Sequence, residues 1–321
     1  MDGLGGRALS EKCKRMETLT VALGERSYPV YIGRDILNRL PELLEVVGKA
    51  AVAAIVTDDN VGPLYAVRVA DLLARSGMAT VRCVLPAGEE HKRLGQIERL
   101  TGAFIEAGLD RSSLVVALGG GVVGDIAGFA AASYMRGIRF LQIPTTIGAQ
   151  VDSSVGGKTG VNHPLGKNTI GAFHQPEAVL IDLALLDTLP ERELRAGVAE
   201  IIKHGVIADA TLFRYMVEHA EAIVNKDLDM LALPVLRSCA IKADIVAEDE
   251  RETGRRAILN YGHTFGHAVE HVEGYRRRHG EAVAVGMTYA AELGQRSGHL
   301  GADVVARHRS VLSAVGLPTT Y

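Results

Sequence analysis

The chain has 321 residues, of which 47% are hydrophobic and 23% are charged, and its formal net charge is −3. This length and composition are typical of a folded two-domain enzyme and argue against a largely disordered chain or a basic surface for nucleic acid. Three scattered cysteines without CxxC spacing argue against a disulfide framework or a thiolate metal site, and favour a reducing, cytoplasmic location. No segment has the pattern of a signal peptide or a membrane span.

Residues 1–16 combine glycines with mixed charges, which predicts a loose leader. From Glu17 to about Leu186, short β-branched runs alternate with helical patterns, such as residues 62–76 and 92–108. The strand-like runs are TLTVAL, PVYIG, AVAAIVTDD, ATVRCVLP, SSLVVALGGG and RFLQIPTT. This alternation predicts an α/β fold with a largely parallel, Rossmann-like sheet.

The pattern of apolar residues changes after Pro190. From Glu191 onwards, apolar residues recur with the period of an α-helix and few strand-like runs remain. We therefore predict an α/β domain over residues 17–187 and a mostly α-helical domain over residues 188–321. Because no low-complexity linker separates the two domains, they should pack closely, and the active site is expected in the cleft between them.

A glycine-rich turn follows the strand-like run SSLVVAL. Gly119, Gly121 and Gly124 match the pattern G-x-G-x-x-G, in which backbone amides and a helix N-terminus approach a pyrophosphate. The acidic residue expected about 20 positions later is missing. Asp58, at the end of an earlier strand, is therefore the better candidate for contacting a ribose. The alternative is a glycine turn that only allows strand and helix to pack tightly.

The segment SSVGGKTG lacks the spacing of a nucleotide-binding P-loop. Asp152 stands where the Walker pattern requires a glycine, so an NTPase is excluded. Asp152, Lys158, Lys167 and Asn168 nevertheless lie among flexible glycines, where cationic side chains could surround a phosphorylated ligand. A solvated loop with ordinary lysines is the alternative.

The segment RRAILNYGHTFGHAVEH is predicted to form one helix. At about 100° per residue, four of its polar residues would fall within an arc of roughly 60°. These residues are Arg256, Asn260, His263 and His267. Such a stripe is unfavourable to bury without partners, so it should line a ligand site. The scarcity of lysine and glutamate in this segment disfavours a merely solvent-facing stripe.

A metal site is a further prediction from the histidines. The HExxH pattern of zinc proteases is absent, because Thr264 follows His263. Glu200 lies on a helical segment with Lys203 on the same face, and His279 begins another predicted helix. Two histidines and one glutamate form the open ligand set of a catalytic zinc-type site. Spacing alone does not decide which histidines bind; the candidates are His204, His263, His267, His271 and His279.

Several motifs occur in a fixed order: LGGGVVGDIAGFAAASYMRG, PTTIGAQVDSSVGGKTGVNHPLGKNTIGAFHQP, AEIIKHG, and RRAILNYGHTFGHAVEH followed by HGEAVAVGM. With these motifs the chain resembles the 3-dehydroquinate synthase family from about residue 17 to its last residue. The resemblance implies an N-terminal domain that binds NAD and a helical domain that binds substrate and one divalent metal ion, zinc or cobalt. It also implies a homodimer.

The resemblance implies roles for individual residues. The implied metal ligands are Glu200, His263 and His279. The implied NAD-binding residues are Asp58, Asn60, Glu89, Lys92, Gly120, Gly121, Val122, Asp125, Thr145, Thr146, Lys158, Lys167, Leu185, Thr188 and Leu189. The implied substrate-binding residues are Arg136, from a neighbouring subunit, and Asp152, Lys158, Asn168, Lys203, Lys242, Arg256, Asn260 and His267. The implied catalytic residues among them are Asp152, Lys203, Asn260 and His267.

By the same resemblance the substrate is 3-deoxy-D-arabino-heptulosonate 7-phosphate, whose carboxylate would bind Lys242 and Arg256. The family converts it to 3-dehydroquinate and phosphate in the shikimate pathway of aromatic amino acid biosynthesis. This lyase reaction combines transient oxidation by NAD, β-elimination of phosphate, reduction and intramolecular aldol closure. The sequence stops at GLPTTY, before a further phosphate-contacting lysine of the family, so we expect NAD binding but slow turnover.

Two other functions are compatible with parts of the sequence. A metal-dependent polyol dehydrogenase shares the glycine turn and a metal-bearing helical domain. Such an enzyme has no use, however, for the phosphate and carboxylate pocket predicted from SSVGGKTGVNHPLGKN and Arg256. A non-catalytic homologue that kept only the fold is disfavoured by the intact polar stripe.

Overall fold

The structure is a computed structural model that describes residues 16–48, 50–274 and 276–321. The predicted leader therefore lies outside the described residues, except for Met16. The chain divides into two compact units, the first ending at Leu185 and the second beginning at Leu186. Within the described ranges, no helix combines the length and apolar character that crossing a bilayer requires.

The first unit is built on a seven-stranded sheet with the order β1-β2-β9-β6-β5-β3-β4. Its strands are β1 Glu17–Val21, β2 Tyr28–Gly33, β3 Val52–Asp58, β4 Ala79–Leu85, β5 Leu114–Gly119, β6 Arg139–Pro144 and β9 Ala178–Asp182. All neighbouring pairs are parallel except β1 with β2. The largely parallel sheet and the six strand-like runs predicted from the sequence are confirmed.

Helices cover both faces of this sheet. They are α1 Leu40–Val47, α2 Val67–Arg75, α3 Leu94–Glu106 and α4 Gly121–Ser133. Side chains of β3 alternate between two apolar cores: Ile55 packs with α1 and α2, and Val56 packs with α3 and α4. Strands buried on both faces read as continuous apolar runs, which explains why β3 and β5 were recognisable in the sequence.

One buried carboxylate ties the two ends of this unit together. Asp182, the last residue of β9, accepts hydrogen bonds from the backbone N–H groups of Asp35 and Leu37, each at 2.8 Å. Burial raises the pKa of Asp182 above its usual range. The turn that follows β2 is therefore anchored to the end of β9.

A two-stranded hairpin, β7 Lys158–His163 and β8 Gly166–Phe173, was not predicted from the sequence. Its strands pair antiparallel, and Gly160 stands opposite Gly171. Glycines in a strand interior contribute no side chain to packing, so they weaken the pattern by which a strand is recognised. The glycine-punctuated segment is thus regular structure rather than a solvated loop.

The second unit is helical, as predicted. Its helices are α5 Glu191–Ala208, α6 Ala210–Glu218, α7 Ala220–Val224, α8 Leu228–Glu248, α9 His263–Val272, α10 His279–Arg296 and α11 Ala302–Ala314. The first turn of α10 lies directly against α5: a Cβ atom on Gly280 would be 1.8 Å from the carbonyl oxygen of Ala196. Ala196 is one helical turn before Glu200, and Gly280 follows His279, so this contact brings His279 close to Glu200.

The prediction of a single helix over RRAILNYGHTFGHAVEH is wrong. A 3₁₀ turn covers Arg255–Asn260, and α9 begins only at His263. The break is at Gly262, which has a left-handed φ of 80° and lies so close to α10 that a Cβ would be 2.8 Å from the backbone nitrogen of Met287. A residue with a side chain would be strained there. Arg256 and Asn260 therefore do not share a helix face with His263.

Candidate active site

Three side chains from three helices of the second unit converge on one point. Glu200 comes from α5, His263 begins α9, and His279 begins α10. The Nε2 atoms of His263 and His279 lie 3.8 and 3.6 Å from Oε1 of Glu200. One potential ligand atom from each residue lies within 4.8 Å of the other two. A carboxylate and two imidazoles are the donor types of an open zinc-type site, so this set fits a divalent metal ion.

Neighbouring acceptors orient both imidazole rings. Nδ1 of His263 lies 3.3 Å from the carbonyl oxygen of Tyr261, and Nδ1 of His279 lies 3.2 Å from Oε1 of Glu270. A neutral imidazole has one N–H, and a carbonyl or carboxylate oxygen can only accept it. With the proton on Nδ1 in each ring, both Nε2 lone pairs are available on the side facing Glu200.

Sequence reasoning missed Glu270. It is buried, and with His267 and His279 it forms a second set of three potential ligand atoms within 4.8 Å of one another. The signal was present, because Glu270 follows His267 by three positions and His263 by seven, which places the three on one face of a helix. The other histidine candidates, His204 and His271, belong to neither set of described residues.

Three candidate substrate-binding cations, Lys203, Lys242 and Arg256, are buried in the second unit. Lys203 forms a buried ion pair with Glu200 one helical turn away on α5. Lys242 on α8 and Arg256 in the 3₁₀ turn are also buried. Buried lysines and arginines are rare in proteins and occur preferentially at functional sites, so three in one helical unit fit a site for a charged ligand.

A carboxylate shapes the turn that carries Arg256. Asp249, which directly follows α8, accepts hydrogen bonds from the backbone N–H groups of Thr253, Gly254 and Arg256 at 2.9, 2.7 and 3.0 Å. These bonds, with that of Thr253 foremost, hold the pKa of Asp249 below its usual range. The guanidinium of Arg256 donates to the carbonyl oxygen of Glu250.

Asn260 also has a partner that sequence reasoning missed. Its Nδ2 donates to Oε1 of Glu252 at 2.5 Å, across the turn between α8 and α9. Glu252 has a left-handed φ of 58°, which non-glycine residues seldom adopt. The amide of Asn260 is thereby held by a carboxylate eight positions earlier in the chain.

In the first unit, most predicted nucleotide-binding residues follow the carboxyl ends of parallel strands. Asp58 ends β3 and Asn60 follows it; Glu89 and Lys92 follow β4; Gly120, Gly121, Val122 and Asp125 follow β5; Thr145 and Thr146 follow β6; Leu185 follows β9. Carboxyl ends of parallel strands meet at one edge of a sheet, where ligands of open α/β sheets bind. Asp152 lies in a π-helical turn, Ala149–Ser153, and Lys158, Lys167 and Asn168 lie on the hairpin. Thr188 and Leu189 lie in the second unit, before α5.

Five polar side chains form a connected group at this edge, which we call the Lys92 network: Glu89, Lys92, Asp125, Asn162 and Asn168. Nζ of buried Lys92 donates to Oδ2 of Asp125 at 2.5 Å and to Oδ1 of Asn168 at 2.6 Å. Asn162, which sequence reasoning missed, donates from Nδ2 to Glu89 and accepts the backbone N–H of Asn168, both at 2.8 Å. Lys92, which is predicted to bind NAD, is thus hydrogen-bonded to Asn168, which is predicted to bind substrate.

Two further groups at this edge are suited to a polar ligand. Oδ1 of Asp58 accepts the backbone N–H groups of Asn60 and Val61 at 3.0 and 2.8 Å, yet burial dominates and raises the pKa of Asp58. The hydroxyl of Thr145 is buried and has no hydrogen-bond partner among the described residues. Buried hydroxyls are normally satisfied, so this one fits a ligand-binding edge.

The structure does not bring Arg136 together with the other predicted phosphate contacts of the first unit. Arg136 precedes β6 and so lies at the amino edge of the parallel sheet, whereas the Lys92 network lies at the carboxyl edge. Arg136 and Met135 both have left-handed φ values, 69° and 50°. They line a surface hollow of about 590 Å³ with Asp110, Arg111 and Ser112.

Solved structures define the class of fold. A 2-deoxy-scyllo-inosose synthase complexed with carbaglucose-6-phosphate, NAD+ and Co2+ superposes with a TM-score of 0.87 at 28% identity, covering 94% of this chain and 81% of that chain. A 2-epi-5-epi-valiolone synthase from Streptomyces hygroscopicus with NAD+ and Zn2+ bound gives 0.85 at 31% identity, covering 94% and 83%. The fold is that of the sugar-phosphate cyclases.

Sequence comparison narrows this class. The family models for the N-terminal and C-terminal parts of 3-dehydroquinate synthase match residues 82–196 and 197–321. The 3-dehydroquinate synthase of Geobacter metallireducens is 53% identical over 304 residues, covering 94% of this chain and 84% of that protein. The chain belongs to the 3-dehydroquinate synthase family, and the family and enzyme class predicted from the sequence are confirmed.

Proposed function

We propose that this chain converts 3-deoxy-D-arabino-heptulosonate 7-phosphate to 3-dehydroquinate and phosphate, using NAD and one zinc or cobalt ion. The convergence of Glu200, His263 and His279 in a chain of this family is the observation that carries the proposal. Structural relatives with NAD+ and Co2+ or Zn2+ support the choice of cofactors. When bound, NAD+ would accept a hydride from one substrate carbon and return it later as NADH, and the metal ion would polarise the oxygens there as a Lewis acid.

The residues of the second unit would bind the metal and position the substrate. Glu200, His263 and His279 would hold the metal ion, and Lys203 would place a positive charge beside Glu200 and the reacting oxygens. Lys242 and Arg256 would bind the substrate carboxylate, for which the planar guanidinium offers two parallel donors. Buried cations held in advance bind an anion with little reorganisation, so their main contribution is orientation and electrostatic stabilisation.

The residues of the first unit would bind the dinucleotide at the carboxyl edge of the sheet. Asp58 would accept a ribose hydroxyl, and the backbone at Gly120 and Gly121 would approach the pyrophosphate at the start of α4. Lys158 and Asn168 on the hairpin would contribute contacts to the substrate phosphate, with Asp152 nearby in sequence. In the second unit, Asn260 can donate or accept hydrogen bonds during elimination of the phosphate. His267 can also donate or accept a proton there.

A homodimer is part of the proposal. Arg136 lies at the opposite edge of the sheet from the Lys92 network, so it cannot join that network within its own unit. An arginine supplied to the phosphate site of a second copy would account for its exposed, left-handed turn. A mixture of an Arg136→Ala variant with a variant lacking a metal ligand should then recover activity through hybrid dimers. A cytoplasmic location also belongs to this proposal.

A phosphate-release assay with the seven-carbon substrate and NAD tests the function. Inorganic phosphate should form without net NADH, and a chelator should stop its release until zinc or cobalt is added back. Net NADH from a polyol without phosphate release would instead identify a dehydrogenase. Failure to bind any divalent metal and to release phosphate would identify a non-catalytic homologue.

A further inference from the structure

We infer that Glu270 is a positioning residue, whose carboxylate holds the Nδ1–H of His279 and turns Nε2 of that ring towards the metal site. The inference rests on the proposed function, because it concerns a ligand of the proposed metal ion. It goes beyond that function by assigning a role to a residue that neither the sequence motifs nor the family resemblance singled out.

The side chains of Glu270 and His279 differ in burial. The side chain of Glu270 is 3% exposed, whereas that of His279 is 40% exposed. A buried carboxylate is unfavourable unless it accepts hydrogen bonds. Nδ1 of His279 lies 3.2 Å from Oε1 of Glu270, which is hydrogen-bond distance. The bond therefore gives Oε1 of this buried carboxylate a donor and orients a ring that solvent would otherwise leave free to rotate.

The contact with Glu270 also determines the tautomer of His279. Since the carboxylate can only accept, the single N–H of neutral His279 is placed on Nδ1, and the lone pair of Nε2 points towards Glu200. His263 is oriented by a carbonyl oxygen instead, that of Tyr261. The more exposed of the two rings, that of His279, thus has the charged acceptor, Glu270. A carboxylate behind a metal-binding histidine also increases the basicity of the ring as a ligand.

Glu270 and His263 lie on the same helix, α9. Glu270 follows His263 by seven positions, close to two full turns, so both project from one face of the same helix. One helix therefore supplies a metal ligand directly and fixes the orientation of a second ligand on α10. The relative placement of the two imidazoles depends on this pair of contacts.

A second metal ion on His267, Glu270 and His279 is the rival explanation of the same cluster. It would need Nδ1 of His279 to lose its proton, or the ring to turn away from Glu200. Nε2 of His267 lies 4.0 Å from Oε2 of Glu270, beyond hydrogen-bond distance, whereas the contact to His279 is within it. These distances indicate that Glu270 accepts the Nδ1–H of His279 and is not a ligand of a second metal ion.

Two variants of Glu270 with side chains of similar length test the inference in the metal-free protein. Glu270→Met removes the acceptor, and Glu270→Gln keeps an oxygen that can accept the Nδ1–H. Zinc affinity is measured by competition with a chromophoric chelator, and the coordination of Co2+ by its visible absorption bands. Glu270→Met should weaken zinc binding by about 10- to 100-fold and change the Co2+ bands. Glu270→Gln should lose less than about tenfold and keep them.

His271→Ala is the matched control, because His271 is an exposed imidazole beside Glu270 on α9 and belongs to neither ligand set of the described residues. Its zinc affinity and Co2+ bands should equal those of the unmodified chain. Should Glu270→Met fold poorly, as judged by thermal unfolding of the apoprotein, Glu270→Ala replaces it with the same expectation.

Two results would overturn the inference. One is a Glu270→Met variant that binds zinc as tightly as the unmodified chain with unchanged Co2+ bands. The other is an unmodified chain that binds two zinc ions, with Glu270→Met losing only the weaker one, because Glu270 would then be a ligand. If the unmodified chain binds one zinc ion but releases no phosphate, the proposed function fails while the role of Glu270 stands.

Discussion

The two units hold their polar site residues in opposite ways. In the first unit, each donor of the Lys92 network has an acceptor. The ammonium of Lys92 donates to Asp125 and Asn168. Asn162 donates to Glu89 and accepts from the backbone of Asn168. In the second unit, acceptors face one another, because the carboxylate of Glu200 and the Nε2 atoms of His263 and His279 point to a common centre. Lys203 is the cation paired with Glu200 there.

This difference predicts different responses to ligands. A network in which charges are already paired gains little further stability from a bound cation. Apart from the contact with Lys203, the lone pairs in the second unit converge on one point, so a bound divalent cation should stabilise the folded state of that unit. Zinc should stabilise the second unit and leave the Lys92 network unaffected.

Loss of a metal ligand should have the largest effect. In His263→Ala, zinc affinity should fall by more than about 100-fold, which exceeds the loss typical of a residue that only orients a ligand. Phosphate release should fall with it. Metal content after gel filtration and the phosphate-release assay measure the two effects, and the exposed His271→Ala serves as control. A His263→Ala protein with a normal zinc content would contradict the assignment.

Loss of Lys203 should be the next largest effect, and zinc should reduce it. In apoprotein, Lys203→Met leaves the buried carboxylate of Glu200 without this cation, and breaking a buried pair lowers the free energy of unfolding by about 3–5 kcal/mol. A zinc ion on Glu200 replaces the missing charge, so the difference from the unmodified chain should shrink. Urea unfolding with and without zinc measures it; an equal difference in both conditions would show that Glu200 does not bind zinc.

The matched change in the first unit should be smaller and independent of zinc. Lys92→Met removes a cation whose partner Asp125 is 18% exposed, so water can compensate in part. We expect a loss of about 1–3 kcal/mol. The same urea titrations measure it. If zinc restored the stability of Lys92→Met, the contrast between the two units would be wrong.

A pH titration gives the weakest test. His308 on α11 is buried; its Nδ1 lies 2.8 Å from the carbonyl oxygen of Val304, and its Nε2 lies 3.2 Å from the hydroxyl of Tyr261. Burial lowers the pKa of His308 and raises that of Tyr261 to about 12. Between the folded pKa and about 6.5, the unfolded chain binds more protons at this residue, so stability decreases as the pH falls through that range.

Replacing the titrating ring should remove this contribution to the pH dependence. Urea unfolding of His308→Gln between pH 5 and 8 should show a shallower decrease towards acid than the unmodified chain. His271→Gln, in which an exposed ring is changed, should keep the original slope. An unchanged slope in His308→Gln would mean that the folded protein protonates His308 as readily as the unfolded chain.

Much of the fold was predictable because burial leaves a periodic pattern. The parallel strands such as β5 are apolar throughout, and the helices of the second unit repeat their apolar residues with the helical period. The break at Gly262 was not predictable from periodicity. A glycine within a helical pattern is tolerated in many helices, and the contact with α10 that requires it here comes from a distant part of the chain.

The candidate site was predictable to a different extent. The residue types of a metal centre were recognisable, but spacing alone left five histidines in competition. The choice depends on helices α5, α9 and α10 meeting, which no local pattern encodes. Glu270 and Asn162 were missed for a related reason: a glutamate on a helix and an asparagine near a turn are ordinary residues until their partners, His279 and Glu89, are known.

The order of strands in the first unit has a consequence for biosynthesis. β9 fills the position between β2 and β6, and its last residue, Asp182, bonds Asp35, which lies 147 positions earlier. The ribosome therefore releases β2 and β6 before β9, the strand that joins them. Until β9 emerges, β2 and β6 each present an apolar edge without its partner, and such edges invite pairing with other chains. The nascent first unit is therefore more exposed to aggregation before β9 emerges than after it.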